Sequence, residues 1–216
     1  MKYYPINLDL AGRKVLVIGA GAVAHRKVQT LVECGAQVTV VSPVFCAALA
    51  RMKGICRVQR GYRKTDLLGA CLVICATDSP AVNRRAWEHS RDAGIPVNVV
   101  DQPELCTFTV PAVCRRGDIV IAVSTGGGSP ALSSRIRERI EETITPAFGR
   151  HLDLLRDLRA EVRASALDAE QRGALLRRMA ADEVREIIER QGLAAARRHL
   201  RRMLAEAVDT MILPRP

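Results

Sequence analysis

Aromatic residues make up only 3% of this 216-residue chain. A core built from Ala, Val, Leu and Ile instead suits an α/β protein better than a β-sandwich. No run of about 18 apolar residues occurs, so no membrane-spanning helix is expected. The opening Met1-Lys2-Tyr3-Tyr4-Pro5 lacks the apolar stretch and small-residue cleavage site of a secretory leader, which points to the cytoplasm. The C-x-x-C spacing is also absent. Seven cysteines, odd in number and scattered, read as reduced thiols rather than a disulfide framework or a zinc site, and no metal ligands are expected.

What is present is an ordinary globular composition, 48% hydrophobic and 26% charged, long enough for one sizeable core and a smaller appended domain. The net charge is +10, and it is unevenly placed. Residues 1–129 carry 16 Lys and Arg against 9 Asp and Glu, whereas residues 130–216 carry 17 against 14. The arginine-rich C-terminal half, with Arg177-Arg178, Arg197-Arg198 and Arg201-Arg202, is therefore nearly balanced. It reads as a solvated helical surface and not as a nucleic-acid tail. The surplus in the N-terminal part suits an anionic cofactor or substrate.

Lys14–Ile18 is a short apolar run ending at Gly19, the pattern of a buried parallel strand. Helical spacing follows over 22–34, then a second strand at 37–41, giving a βαβ unit of roughly 30 residues. The alternation continues with strands at 57–59, 71–76 and 96–100 and a helix over 80–93, opened by Pro80 and closed by Gly94. Such a chain folds as a parallel sheet with right-handed crossovers. After Pro103 the character changes. Thr107–Val110 and Ile119–Val123 read as an antiparallel pair joined by a turn over 114–118. A helix over 130–145 comes next, and everything beyond Pro146 reads as helix. The expected class is α/β: a Rossmann-type parallel sheet over 1–113, a small α+β dimerisation region over 114–150 and a helical C-terminal domain over 151–216.

Gly19-Ala20-Gly21-Ala22-Val23-Ala24 matches G-x-G-x-x-[GA] directly after a strand and at the start of a helix. Gly19 permits the tight turn, Gly21 lets backbone approach a pyrophosphate, and Ala24 lets the helix pack closely on the sheet. The backbone N–H groups at Ala22 and Val23 then face the phosphates, aided by the helix dipole. The competing reading is a glycine turn that binds nothing. One expected feature is missing. The second strand ends in Ser42-Pro43-Val44, with no acid for the adenosine ribose, so hydroxyl and backbone groups must hold it and the choice between NAD and NADP is weakly encoded.

Several ordered segments together resemble the precorrin-2 dehydrogenase family, which includes the N-terminal module of siroheme synthase. They are Pro5–Leu10, Gly12–Gly19, Val23–Lys27, Ala76-Thr77-Asp78 with Asn83, Asn98–Asp101, Phe108–Ala112 and Ala122–Pro130. The resemblance is close over residues 3–148 and looser over the helical tail. It implies a homodimer that oxidises precorrin-2 to sirohydrochlorin with NAD and, in some members, inserts ferrous iron to give siroheme. It implies that Asp101 is essential, that Thr77, Asp78 and Asn83 contact the nicotinamide half, and that the loop Ser124-Thr125-Gly126-Gly127 lies near the tetrapyrrole, where its backbone N–H groups are offered to carboxylates. Thr125 stands where many relatives have a second Ser; the hydroxyl is kept.

Read from position alone, Asp101 is better taken as a turn-forming residue before Gln102-Pro103, and Asp78 or Ser79 is equally a cap for the helix at Pro80. His25, His89, His151 and His199 lack partner ligands at metal spacing and read as surface or helix residues. The rival function is a nucleotide-sensing Rossmann regulator, such as a domain gating a potassium transporter. Ser42 in place of an acid and the glycine-rich loop at 124–130 weigh against it.

Overall fold

The computed structural model describes residues 3–212 and divides into two compact units, residues 1–110 and 111–216. The first unit is built on five parallel strands: β1 (Lys14–Ile18), β2 (Gln37–Val41), β3 (Ile55–Val58), β4 (Leu72–Cys75) and β5 (Val97–Val99). Their order is β3-β2-β1-β4-β5, with β1 at the centre. Val15, Leu16, Val17 and Ile18 are all buried, as a central strand covered on both faces requires.

Alternate residues of each strand enter opposite layers. Val15, Val17, Val38, Val40, Leu72 and Ile74 pack with Ala24, Val28 and Leu31 of helix α1 (Ala22–Glu33). Leu16, Ile18, Val41, Val73, Cys75, Val97 and Val99 pack with Ala86 of helix α3 (Pro80–Asp92). Helices on both faces make this a doubly wound Rossmann-type sheet. Tyr62 joins the second layer, where burial pushes its hydroxyl up to about 12 and its oxygen lies 3.1 Å from His89 Nδ1.

Two local readings change. The third strand begins at Ile55 rather than 57, because a five-residue helix α2 (Ala47–Arg51) takes up the chain before it and the register pairs Val38 with Ile55 and Val41 with Val58. Thr107–Val110 is not a strand. Thr107 instead finishes the edge of β5, its N–H donating to Val97 O (2.9 Å) while its Oγ1 accepts the Val97 N–H (2.8 Å).

In the second unit the antiparallel partner of β7 (Ile119–Val123) is β6 (Ala112–Arg116), which occupies most of the expected turn. The turn is only Gly117-Asp118, with Gly117 at φ +59°. Arg116 caps the C-terminal end of helix α4 (Pro130–Thr143), donating to Ile144 O (2.8 Å) and Glu141 O (3.1 Å). Helices α5 (Pro146–Ala164), α6 (Ala169–Met179), α7 (Asp182–Gln191) and α8 (Leu193–Ile212) complete the unit around Leu154, Leu158, Val162, Met179 and Leu200. His151 lies on α5, the helix alternative of its reading, and is buried rather than at the surface; its Nε2–H donates to Met179 O (2.8 Å).

The boundary expected near 150 therefore falls inside α5. Pro146 opens that helix at its first turn, a position where the missing N–H does no harm. Gly149 then lies so close to the hairpin that a Cβ there would sit 2.8 Å from Arg116 O. Gly149→Ala is expected to lower the stability of this unit by about 1–3 kcal/mol through overpacking against backbone. An unchanged urea midpoint would contradict that packing.

Candidate functional site

The carboxyl ends of the strands form one edge of the first unit's sheet. They are held level by backbone bonds between neighbours: Gly19 N–H to Val41 O (2.9 Å), Ala76 N–H to Ile18 O (2.8 Å) and Val100 N–H to Cys75 O (2.9 Å). Strand order reverses between β1 and β4, and in open α/β sheets the ligand crevice lies at that reversal. Gly19, Gly21, Ala22, Val23, Ser42, Pro43, Val44, Thr77, Asp78 and Asp101 all lie along this edge.

The glycine turn has two glycines with opposite surroundings. Gly19 has φ +102°, and a Cβ there would stand 2.2 Å from Ala76 O and 3.0 Å from Thr77 N. Gly21 is the N-cap of α1, is exposed, and a Cβ there would meet nothing within 4 Å. The first helical bond is His25 N–H to Gly21 O, so the N–H groups of Ala22, Val23 and Ala24 have no carbonyl within the helix. No side chain caps this end and no acid stands in its first turn. These are unfilled donors at the positive end of a twelve-residue helix, with open space before them, and they fit a pyrophosphate.

The loop after β2 is tied to that turn by Cys46 N–H to Ala20 O (2.9 Å). Ser42 is 8% exposed and donates its hydroxyl to Val44 O (2.7 Å), so its proton is engaged and only its lone pairs remain to be used. Pro43 and Val44 are exposed.

After β4, the expected trio separates in role. Thr77 Oγ1 donates to Asn83 Oδ1 (2.7 Å), and Asn83 Nδ2 returns a bond to Thr77 O (3.0 Å). Asn83 is buried, so both side chains hold the β4–α3 turn in shape. Ser79 is the cap of α3, its Oγ accepting the Val82 N–H (3.4 Å). That leaves Asp78 exposed and, among the described residues, without a hydrogen bond or ion pair.

Asp101 follows β5 at φ +59°, the only non-glycine with positive φ among the described residues. Its turn is closed by Gln102 N–H to Val99 O (3.3 Å). Asp tolerates this left-handed conformation better than most residues, though it still carries strain. The carboxylate is exposed. Cys106 braces the turn from behind: its sulfur accepts the Val99 N–H (3.2 Å) and lies 3.3 Å from Gln102 O. Burial pushes this thiol up, and pushes that of Cys75 on β4 up to about 12, so both stay protonated. Nothing in the sequence around Cys106 signalled that bracing role.

Ser124, Thr125, Gly126 and Gly127 belong to the second unit. Their loop is more self-satisfied than expected. Gly126 N–H donates to Ser124 Oγ (3.2 Å), Gly128 N–H to Thr125 O (3.0 Å), and Thr125 Oγ1 accepts the Ser129 N–H (3.1 Å). Ser129 caps α4. Among the described residues, Gly127 keeps the one glycine N–H of this loop without an acceptor. No group of three His, Cys, Asp or Glu side chains among the described residues is placed to hold a metal ion.

A family model for NAD(P)-binding domains matches residues 6–112, and one described as sirohaem biosynthesis protein central matches residues 116–143. A siroheme synthase of Thioalkalivibrio sulfidiphilus is 41% identical over 213 residues, covering 97% of this chain and 44% of the relative. One of Stutzerimonas stutzeri is 39% identical over 210 residues, covering 95% and 44%. The solved structure of SirC, a precorrin-2 dehydrogenase, superposes with a TM-score of 0.72 at 25% identity, covering 94% of this chain and 100% of that one. The chain belongs to the precorrin-2 dehydrogenase and siroheme synthase family. It spans less than half the length of the curated siroheme synthases it matches. A stand-alone nucleotide-sensing regulator is not favoured, because the family likeness runs through both units rather than stopping at the first.

The two glycines of the family's dinucleotide turn should fail differently. Gly19→Ala forces a methyl group into backbone and is expected to destabilise the protein by more than about 2 kcal/mol. Gly21→Asp should keep its melting temperature yet lose NAD binding, since its carboxylate would repel the pyrophosphate. Calorimetry showing undiminished NAD affinity in Gly21→Asp would remove the pyrophosphate from this turn.

Proposed function

We propose that the protein is an NAD-dependent dehydrogenase that oxidises precorrin-2 to sirohydrochlorin in siroheme synthesis. The observation that carries this reading is the uncapped amino end of α1, on the same sheet edge as the exposed, backbone-strained Asp101. β5 lies two strands from β1, a separation of about 10 Å. A dinucleotide anchored at the glycine turn can thus extend past Thr77 and Asp78 toward Asp101. When bound, NAD would supply the hydride acceptor.

The protein's own residues have two tasks. Ala22, Val23 and Ala24 hold the phosphates through backbone N–H groups. Asp101 takes the proton released as the ring loses a hydrogen pair, or orients the ring through its pyrrole N–H groups. The Ser124–Gly127 loop, with the Gly127 N–H and the α4 amino end, is the candidate contact for the substrate's carboxylates. Ferrous iron insertion also needs acceptors for pyrrole protons, and the exposed carboxylate of Asp101 suits that role too.

We place the protein in the cytoplasm. Its seven free cysteines suit a reducing compartment, and no helix among the described residues is long and apolar enough to cross a membrane. A homodimer is part of the proposal. The outer face of the β6–β7 hairpin exposes Val113 and Val120, and α4 exposes Leu132 and Ile136 one turn apart. Apolar surface of this kind suits pairing with a second copy. Light scattering should give twice 23.6 kDa; a stable monomer at micromolar concentration would refute the dimer.

The decisive assay is anaerobic, with precorrin-2 and NAD, reading NADH and sirohydrochlorin together; adding ferrous iron afterwards tests the insertion step. Asp101→Ala should lower turnover by about 100- to 10,000-fold while NAD affinity stays within about twofold. Asn tolerates the same φ as Asp, so Asp101→Asn changes charge without disturbing the turn. A base role makes Asn as inactive as Ala; an orienting role lets Asn keep most of the rate. Full activity in both would reduce Asp101 to a turn residue.

A further inference from the structure

Asp101 occupies the third position of a four-residue turn, Val99 to Gln102, closed by Gln102 N–H to Val99 O (3.3 Å). Its φ of +59° is one that such a turn normally gives to Gly or Asn. A residue with a side chain persists in this conformation only where its surroundings hold it there. The Asp101 carboxylate makes no hydrogen bond or ion pair among the described residues, so its direction is set by the turn. β5 is the last strand of its sheet, and no further strand pins the turn from the outer side. The chain instead returns along that edge through residues 106–108.

The returning segment grips β5 at two separate places. Thr107 serves the amino end of the strand: its Oγ1 accepts the Val97 N–H (2.8 Å) and its own N–H donates to Val97 O (2.9 Å). Cys106 serves the turn. Its sulfur accepts the Val99 N–H (3.2 Å), and its thiol hydrogen has Val99 O (3.2 Å) and Gln102 O (3.3 Å) within reach. One side chain thus contacts both the first and the last residue of the turn that carries Asp101. Asn98 secures the arrangement, its Nδ2 donating to Phe108 O (3.1 Å) and lying 3.5 Å from the sulfur. Burial pushes the thiol up, so the sulfur keeps its hydrogen and serves as donor and acceptor together.

We infer that Cys106 is a positioning residue for the proposed dehydrogenation: by clamping both ends of the 99–102 turn, it fixes the direction in which the Asp101 carboxylate leaves the sheet edge. The inference rests on the role proposed for Asp101 and adds the group that holds Asp101 ready for it. Cys106 acts only through the turn. Thr107 is the matched comparison, because its hydroxyl secures the same strand edge without touching either end of the turn.

The test combines anaerobic turnover of precorrin-2 and NAD with amide-resolved NMR, both on the full chain. A small misplacement of a reacting group lowers the rate without weakening binding, so Cys106→Ala should lower kcat by about tenfold while KM for precorrin-2 and NAD affinity stay within about twofold. Cys106→Ser keeps a donor and an acceptor and should return kcat to within about threefold of the parent protein. Thr107→Val, at an exposed position on the same edge, should keep kcat within about twofold. In an Asp101→Ala background, Cys106→Ala should cost less than about twofold more, because the group it positions is gone. Independently of activity, Cys106→Ala should shift the amide signals of Asp101 and Gln102, and Thr107→Val should leave them in place. Unchanged kcat in Cys106→Ala, equal losses in Cys106→Ala and Thr107→Val, or no recovery in Cys106→Ser would overturn the positioning role while leaving Asp101 as proposed. Full activity in Asp101→Ala would instead overturn the role of Asp101 itself.

Discussion

The close approach of Gly19 to the carbonyl of Ala76 is the constraint on which the site depends. With less than the width of a methyl group between the two backbones, β1 and β4 end level and the chain turns sharply into α1. That turn aims the first N–H groups of α1 at the crevice instead of burying them. The same contact places Thr77 beside the glycine turn, and the Thr77–Asn83 bonds then fix the path of the next connection. Asp101, one strand further on, is held by a second close turn and a half-buried thiol. The candidate edge is thus a set of strand ends braced mainly by backbone, with few side chains needed to shape it.

The sequence shows this part of the molecule well. A strand buried on both faces leaves an uninterrupted apolar run, and Val15–Ile18 followed by Gly19-Ala20-Gly21 has few other interpretations. The helix and second strand fell within a residue of their observed ends for the same reason. Elements stabilised by tertiary contact were harder to see. Helix α2 has five residues, too short to show a period, and is anchored by Leu49. Strand β6 contains Cys114-Arg115-Arg116 and reads as polar turn; only the pairing with β7 and the bonds of Arg116 to the end of α4 reveal it.

At the site, motif reading located residues but not their duties. Thr77 and Asn83 bond each other, Ser42 bonds its own loop, and two of the three glycine N–H groups of the 124–129 loop are taken internally. Side-chain hydrogen bonding of this kind leaves no spacing signature. Among the described residues, the groups that remain open are backbone N–H donors at Ala22–Ala24 and Gly127 and the carboxylates of Asp78 and Asp101. Donors for phosphate or carboxylate thus coexist with a carboxylate able to take a proton. That is the inventory a dehydrogenase of an anionic substrate requires.

The most direct test of this account is an amide-resolved NMR titration of NAD into nitrogen-15-labelled protein. The largest shifts should fall on the N–H groups from Gly19 to Ala24, with smaller ones at Ser42, Val44 and Thr77, and should saturate with a single affinity. A saturating response that leaves the Gly19–Ala24 amides unmoved would contradict it, because the nucleotide would then be held somewhere other than the amino end of α1.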